Sequence, residues 1–242
     1  DEAQREKVQE IPLEELHPFA HHPFKVLDDD RMKDTADSIR EYGVLVPAIA
    51  RPHPDGGYEL IAGHRRKRGC ELAGLKTMPV IVRELDDDAA IIIMIDSNIQ
   101  RENILPSERA FAYQMKLEAL ERQLGRPSKE NVGQVVPHFV GKRSTAIIGE
   151  QAGESYKQVQ RFIRLTNLIP ALLDMVDSKK IAFKPAVELS YLTADEQGKL
   201  VDTMESEQAT PSLSQAQRLK KFSQEGKLTE ESMLAIMSEE KK

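Results

Sequence analysis

The sequence is poor in cysteine, aromatic residues and long apolar runs. It has one cysteine, no tryptophan and 5% aromatic residues. A single cysteine, Cys70, excludes an internal disulfide framework and is typical of a reducing compartment, so we expect a cytoplasmic location. The apolar run at residues 89–95 is far shorter than the roughly 18 residues of a membrane span. The polar start, residues 1–6, does not resemble a signal peptide, and no membrane partner is expected.

Charge is distributed unevenly along the chain. The 242 residues carry a net charge of −6, which argues against a uniformly basic nucleic-acid-binding protein. Between residues 122 and 165, however, eight cations stand against three acids, so this segment has a net charge of +5 and the remainder −11. Such asymmetry within one chain indicates a local anionic partner.

The first part of the chain alternates strand and helix patterns, and the second part is helical. Apolar or β-branched runs predict strands at residues 44–50, 58–61 and 77–82. Acidic clusters are typical helix N-caps. The cluster at residues 28–30 predicts a helix that ends at Gly43, and the cluster at 86–88 predicts a helix that runs through Met94. Strand patterns disappear after Pro106.

These patterns predict the domain organisation. We expect a loose arm at residues 1–10, an α+β domain at 11–105, an all-α domain at 106–208 and a helical extension at 209–242, so that the chain is mostly helical overall. In the extension, an apolar stripe at helical spacing could pack on a partner or on the body of the protein, and we expect the second. The stripe comprises Leu213, Ala216, Leu219 and Phe222.

Residues 145–165 predict a helix, a tight turn and a second helix. Gly153 suits the turn, Ser155 is a good N-cap for the second helix, and Ala152 and Val159 are expected to pack between the helices. This helix-turn-helix pattern can place its second helix in the major groove of DNA. Its outward side chains are of types that contact base edges or phosphates. The predicted DNA-binding residues are Ser155, Tyr156, Lys157, Gln158, Gln160, Arg161 and Arg164.

The stretch GHRRKRG at residues 63–69 follows a strand pattern and begins a short helix. Cations at a helix N-terminus are unfavourable by roughly 0.3–1 kcal/mol each, because that end carries partial positive charge. A bound anion would offset this cost, and a first turn with a glycine that permits close approach is a typical phosphate site. The alternative is a solvated basic helix face.

Two further polar segments contain side chains of types that bind ligands. Residues 96–101 predict a loop between helices, in which Asn98 could bind a metal or phosphate and Arg101 adds a cation; a capped interhelical turn is the alternative. The histidines His17, His21 and His22 lack the cysteine or spaced carboxylate that would complete a zinc site, so zinc is not expected.

Together these motifs resemble the ParB family of partition proteins and the related Noc proteins. The family pattern GERRxRA is similar to GHRRKRG at residues 63–69, and ENxQRxxLxPxExA is similar to SNIQRENILPSERA at 97–110. The family's SIxxxGxxxP is similar to SIREYGVLVP at 38–47. The resemblance covers roughly residues 11–190 and implies a ParB/sulfiredoxin-like N-terminal domain before the helix-turn-helix.

The resemblance also implies a function. ParB proteins are homodimers that bind a palindromic DNA site in plasmid or chromosome partition or nucleoid organisation, and CTP with Mg²⁺ closes them into a DNA clamp. A ParA-type ATPase contacts their N-terminal arm, which is short and not basic here. The family roles carry over to a nucleotide site at Gly63, His64, Arg65, Arg66, Asn98 and Arg101, with Asn98 also a candidate Mg²⁺ ligand.

The sequence departs from the family at positions that bear on chemistry. His64 and Ser97 replace two glutamates that could serve Mg²⁺ or activate water. Mg²⁺ is a hard cation that prefers oxygen ligands, and these two carboxylates are missing. We therefore expect nucleotide binding with weak or no CTP hydrolysis. The family's Gln-Pro-Arg loop is replaced by HHPFK at residues 21–25, where Lys25 could take the place of the arginine.

Other functions remain as alternatives. One is a helix-turn-helix transcriptional regulator whose N-terminal domain binds no nucleotide. Another is a nucleotide-dependent kinase-like enzyme, although His64 and Ser97 stand where it would need a carboxylate base. Sulfiredoxin activity requires a nucleophilic cysteine where this chain has Gly63. A two-metal nuclease requires a carboxylate cluster that the sequence does not show.

Overall fold

The structure, a computed structural model, describes residues 7–101, 103–125 and 144–239. The chain forms two compact units, and each is described by itself. The first comprises Asp1–Arg101 and Glu118–Ser128, and the second comprises Glu102–Leu117 and Lys129–Lys242. No helix in the described ranges is long and apolar enough to cross a membrane.

The described residues of the first unit contain a mixed five-stranded sheet. Its strands are β1 (Val8–Pro12), β2 (Leu16–Pro18), β3 (Ala48–Pro52), β4 (Tyr58–Ala62) and β5 (Thr77–Val82). Their order across the sheet is β1-β5-β3-β4-β2. The β1–β5 and β3–β4 pairs are antiparallel, whereas β3–β5 and β2–β4 are parallel.

Three helices of the first unit begin at residues that the sequence indicates. They are α1 (Asp30–Tyr42), α2 (His64–Ala73) and α3 (Asp87–Ile99). Asp29 and Asp86 cap α1 and α3 by accepting from the backbone N–H of Met32 (2.9 Å) and Ala89 (2.8 Å), as the acidic clusters predict. Buried apolar side chains from the sheet and helices form the core, in which Cys70 of α2 is fully buried.

Two boundary predictions in this unit are wrong. The strand predicted at 44–50 begins only at Ala48, and Leu45 and Val46 are 79% and 64% exposed. The Arg66 guanidinium accounts for this local structure, because it binds the carbonyl oxygens of Val46 and Pro47. The helix predicted to end near Met94 continues to Ile99.

The second unit is helical throughout its described residues, which confirms the predicted fold class. Its helices are α4 (Pro106–Gly125, whose residues from Glu118 group with the first unit), α5 (Ser144–Ala152), α6 (Tyr156–Arg164), α7 (Pro170–Asp177), α8 (Phe183–Leu189), α9 (Ala194–Glu207), α10 (Leu213–Gln224) and α11 (Glu230–Met237). In the apolar stripe of α10, Ala216 and Leu219 are fully buried and α10 packs on α8, as predicted.

Candidate functional sites

Gly63 joins β4 to α2, and glycine is required there for two reasons. Its φ of +116° lies in a region that side chains other than glycine rarely adopt. A Cβ at this position would also lie 2.8 Å from the Cβ of Ala48. The backbone therefore turns tightly into α2 and leaves its first N–H groups close to any ligand.

The four cations of α2 have different local partners. Arg66 Nη1 donates to the carbonyl oxygens of Val46 (2.5 Å) and Pro47 (2.7 Å), and burial lowers its pKa. Arg68 makes a bidentate contact with Asp28 at 2.9 and 2.6 Å.

Lys67 and Arg65 complete the set. Lys67 Nζ donates to the Leu16 carbonyl oxygen at 2.8 Å. Arg65 has the loosest partner, with its Nη2 3.7 Å from Asp29 Oδ1. Carboxylates and carbonyls therefore offset much of the helix-terminal positive charge, and of these four side chains Arg65 is the most readily available to an anion.

His64, the first residue of α2, is held in its neutral form. Its Nε2 accepts a hydrogen bond from the Phe19 backbone N–H at 3.4 Å, and its ring lies 4.0 Å from the His22 ring. Burial, together with the nearby charges of His22, Arg101 and Lys67, lowers the pKa of His64 to about 3. His64 and Arg101, predicted from separate motifs, are therefore close enough to interact electrostatically.

Asn98 is part of α3, so the predicted loop at 96–101 begins only after Ile99. The residue is buried, and its amide nitrogen donates to the Met94 carbonyl oxygen at 2.7 Å and to Ser97 Oγ at 3.2 Å. Ser97 Oγ in turn donates to Met94 O at 2.9 Å. These intrahelical bonds explain why polar residues with a loop-like pattern remain helical.

Protein ligands for Mg²⁺ are poorly represented at this site. The described residues contain no group of three or more histidine, cysteine or acidic side chains that could hold a metal ion. The neutral His64 and the hydroxyl of Ser97 stand at the positions of the family's carboxylates. The residues present therefore do not fit a magnesium ion held by the protein itself.

In the second unit, the helix-turn-helix forms as predicted. Gly153 adopts a φ of +69° in the turn, and the Ser155 side chain caps α6 by accepting from the Gln158 N–H at 3.2 Å. Val159 is fully buried between α5 and α6. Gly149 permits this close packing, since a Cβ there would lie 2.6 Å from the Glu154 carbonyl oxygen.

The amino-terminal part of α4 supports this motif. Arg109 Nη1 donates to Glu154 Oε1 in the turn at 2.5 Å, and the Arg109 guanidinium lies 5.3 Å from the Phe162 ring centroid. The Tyr113 and Phe162 rings make an edge contact at 5.8 Å. Burial, reinforced by the nearby Glu154 carboxylate, raises the pKa of Tyr113. Sequence patterns do not reveal these contacts, because they join residues 45 to 53 positions apart.

One face of α6 is exposed. The side chains of Lys157 and Arg161 make no hydrogen bond or ion pair to other residues in the described part of the chain. Ser155, Tyr156 and Gln160 are also exposed, whereas Gln158 is half-buried. This face presents two cations, an amide and a phenol on a capped helix, a combination suited to contacts with phosphates and base edges.

Arg164 differs from the other predicted DNA-binding residues. Its Nη2 donates to the Ser190 carbonyl oxygen at 3.0 Å, and its guanidinium carbon lies 4.0 Å from the Tyr191 ring centroid. Lys220 of α10 lies 3.7 Å from the same centroid. Arg164 therefore helps to hold the end of α6 against neighbouring helices.

The positive segment is described only in part. Its cations Arg126, Lys129, Lys142 and Arg143 lie outside the described residues. Arg122 lies in the first unit, where its Nε is 2.8 Å from the buried carboxylate of Asp88. Of the segment's described cations, Lys157 and Arg161 are therefore the two that α6 exposes.

Comparisons with known proteins agree with this architecture. Residues 1–99 match the family of the ParB N-terminal domain. The chain is 40% identical over 129 residues to the chromosome-partitioning protein ParB of Caulobacter vibrioides, covering 52% of this chain and 41% of that protein. It is 35% identical over 191 residues to the nucleoid occlusion protein of Halalkalibacterium halodurans, covering 79% of this chain and 60% of that protein.

A solved ParB structure is also similar to this chain. A C-terminally truncated ParB from Caulobacter crescentus, complexed to the centromeric parS site, is 25% identical with a TM-score of 0.52, and the match covers 95% of this chain and 98% of that one. The chain spans about 40–60% of the length of the curated relatives compared above. Its motifs, its fold and these similarities show that the chain belongs to the ParB family.

Proposed function

We propose that this chain is a sequence-specific DNA-binding protein of the ParB class that acts in partition or nucleoid organisation. The observation that carries the proposal is the exposed face of α6, where Lys157 and Arg161 have no partner within the described residues. The related ParB protein crystallised with its parS site has a similar fold. Two copies of α6 in a homodimer would contact half-sites about 34 Å apart, which requires a palindromic DNA site.

The residues of α6 divide into two roles in this proposal. Lys157 and Arg161 bind phosphates or guanine edges, and Tyr156, Gln158 and Gln160 provide polar contacts in the groove, with Ser155 capping the helix. Arg164 acts as a positioning residue, because its guanidinium contacts Ser190 and Tyr191. Gly153, Glu154 and Arg109 hold the turn that orients α6.

The first unit is proposed to bind CTP and so to regulate a DNA clamp. Gly63, Arg65, His64 and Arg101 would meet the phosphates, while Arg66 shapes the site through the Val46 and Pro47 carbonyls. Asn98 would act by stabilising the end of α3. Because the described residues do not fit a protein-held Mg²⁺, any magnesium would arrive with the nucleotide, and we expect weak or no CTP hydrolysis.

Binding of duplex DNA with a palindromic parS-type site tests the proposal directly. Lys157→Gln and Arg161→Gln should each weaken specific binding by about 5–150-fold if they contact a base, or lower the salt slope by about 1 if they contact a phosphate. Lys199→Gln is the matched control, because this exposed cation on α9 is paired with Asp195 at 3.0 Å. Unchanged affinity and salt slope in both α6 variants would contradict the α6 assignment.

Nucleotide titration separates this function from the alternatives. CTP-selective binding by the full chain would support the clamp. Specific DNA binding with no triphosphate binding would favour a helix-turn-helix regulator, and phosphate transfer to a serine would favour the kinase-like enzyme. The homodimer and a ParA-type ATPase partner stay predictions for this chain; sedimentation with and without DNA, and co-purification with a ParA-type ATPase, would test them.

A further inference from the structure

Two departures from the family pattern meet in space in the first unit. His64 stands at the position of the family glutamate, and His22 belongs to the segment that replaces the family's Gln-Pro-Arg loop. Although 42 positions apart in the chain, their ring centroids are 4.0 Å apart, with the ring planes inclined by 46°. The two substitutions therefore form one histidine pair beside the start of α2.

Hydrogen bonds indicate the protonation state of each ring. The Phe19 backbone N–H donates to His64 Nε2 at 3.4 Å, so this nitrogen carries a lone pair. The Phe24 carbonyl oxygen lies 2.7 Å from His22 Nδ1, and because a carbonyl only accepts, Nδ1 of His22 carries the hydrogen. A proton added at His64 Nε2 would face the Phe19 N–H and break that hydrogen bond.

The charges around the pair oppose protonation in the absence of an anion. Burial is the largest cause that lowers the pKa of His64 to about 3, and the charges of His22 from the loop, Arg101 after α3 and Lys67 from α2 act in the same direction. The nearby carboxylate of Glu59, which accepts from the Ala20 N–H at 3.3 Å, is paired with Arg51 at 2.6 Å. A negatively charged ligand would reverse the sign of the local field.

We propose that His22 and His64 form a phosphate-binding pair that takes up a proton from solvent when a polyphosphate binds beside them. This inference rests on the proposed nucleotide function and adds to it a further phosphate ligand, His22, and a proton. In the complex one ring becomes an imidazolium and donates an N–H to a phosphate oxygen. If His64 takes the proton at Nε2, the Phe19 N–H loses its acceptor, while the Ala20 N–H still donates to Glu59.

Linkage sets the direction of the pH dependence. The complex holds more protons than the free protein and free ligand, so affinity increases as pH falls. The increase is at most about tenfold per pH unit for one proton. It should be measured between pH 7 and 8.5, because the terminal phosphate of a nucleotide has its own pKa of about 6.

Calorimetry of the full chain with CTP and Mg²⁺ tests the pair. Titrations in HEPES and in Tris, whose ionisation enthalpies differ, give the number of protons taken up. The wild type should take up close to one proton per CTP. His64→Gln and His22→Gln should bind with little proton uptake, and with an affinity that is flat between pH 7 and 8.5. His53→Gln is the control, because this histidine of the same unit packs on His17 with ring centroids 4.9 Å apart.

The outcomes distinguish this inference from the proposed function. CTP binding by the wild type without proton uptake, or equal uptake in both pair variants, would overturn the inference and leave nucleotide binding intact. Absence of any CTP binding would contradict the nucleotide function; proton-linked binding of inorganic triphosphate would then still support the pair. Circular dichroism measures whether each variant is folded. Because the two pair variants change different residues, a local folding defect in one of them would not explain the same loss of proton uptake in both.

Discussion

The Arg109 guanidinium donates to Glu154 at 2.5 Å, and this contact joins α4 to the turn of the helix-turn-helix within the second unit. Both side chains are largely shielded from solvent, with exposed fractions of 26% and 16%. The pair therefore connects the LPSERA motif, in which Arg109 lies, to the element that orients α6. A sequence motif that resembles part of a nucleotide-binding pattern thus also supports the proposed DNA-binding helix.

Replacement of Arg109 by alanine should destabilise the second unit. The change leaves the partly buried Glu154 carboxylate without its ion-pair partner and removes the contact with Phe162, so we expect a loss of about 1–3 kcal/mol in the free energy of unfolding. Urea denaturation measures this loss. The control Lys33→Ala removes an exposed pair with Asp30 and should cost less than about 0.5 kcal/mol. Equal effects for the two variants would contradict the structural role of Arg109.

Gly63→Ala should be strongly destabilising because two costs combine. The positive φ contributes about 1–3 kcal/mol, and the close approach to Ala48 adds a similar packing cost. Gly56→Ala measures the cost of a positive φ without crowding, because Gly56 has a φ of +96° and open space around its Cβ position. The midpoint temperature of thermal unfolding should therefore be lower for Gly63→Ala than for Gly56→Ala. The double variant with Ala48→Gly should recover part of the difference, and its failure to do so would exclude crowding as the cause.

Arg65 and Arg66 should respond differently to substitution. Arg66→Ala removes hydrogen bonds to two carbonyl oxygens from a charged group, so it should lower the free energy of unfolding by about 1.5–3 kcal/mol as well as impair nucleotide binding. Arg65→Ala should leave stability almost unchanged and lower triphosphate affinity. Chemical denaturation measures the stability of each variant, and CTP titration measures its triphosphate affinity. A stable, normally binding Arg65→Ala variant would remove Arg65 from the site.

Stability should depend on pH through His64. Its pKa of about 3 in the folded protein lies below the unfolded value of about 6.5, so between these values the unfolded state binds the extra proton. The group costs no stability above pH 6.5. Below it, the free energy of unfolding falls by up to about 1.4 kcal/mol per pH unit. His64→Gln should remove this component, so the wild-type and variant curves should diverge between pH 6.5 and 5; parallel curves would contradict the depressed pKa.

Local patterns in the sequence were sufficient where the relevant interactions are local. Asp29, Asp86 and Ser155 cap helices because each side chain reaches a backbone N–H three residues ahead. Gly153 makes the predicted turn for the same reason, since its conformation depends on its own backbone. The ParB fold and family follow from several such motifs in order.

Predictions failed or fell short where distant residues decide the outcome. Val44–Val46 have a strand-like pattern, but Arg66 binds the segment from another element and Leu45 remains exposed. The contacts of Arg164 with Tyr191 and Ser190 were not evident from the sequence, and a DNA contact of Arg164 stays a prediction. Spacing does not reveal the His22–His64 pair, because the two residues lie 42 positions apart, although both stand in segments that depart from the family pattern.

The burial of Cys70 has a practical consequence for experiments on this protein. The thiol is fully buried, burial raises its pKa, and the sequence contains no other cysteine. A thiol reagent should therefore react with the folded chain only as fast as the first unit opens, so the labelling rate reports the stability of the first unit alone. A fluorophore could therefore be attached to a cysteine introduced on the exposed face of α6 without prior removal of Cys70. The fluorescence signal would then come from α6 alone and would report the proposed DNA binding.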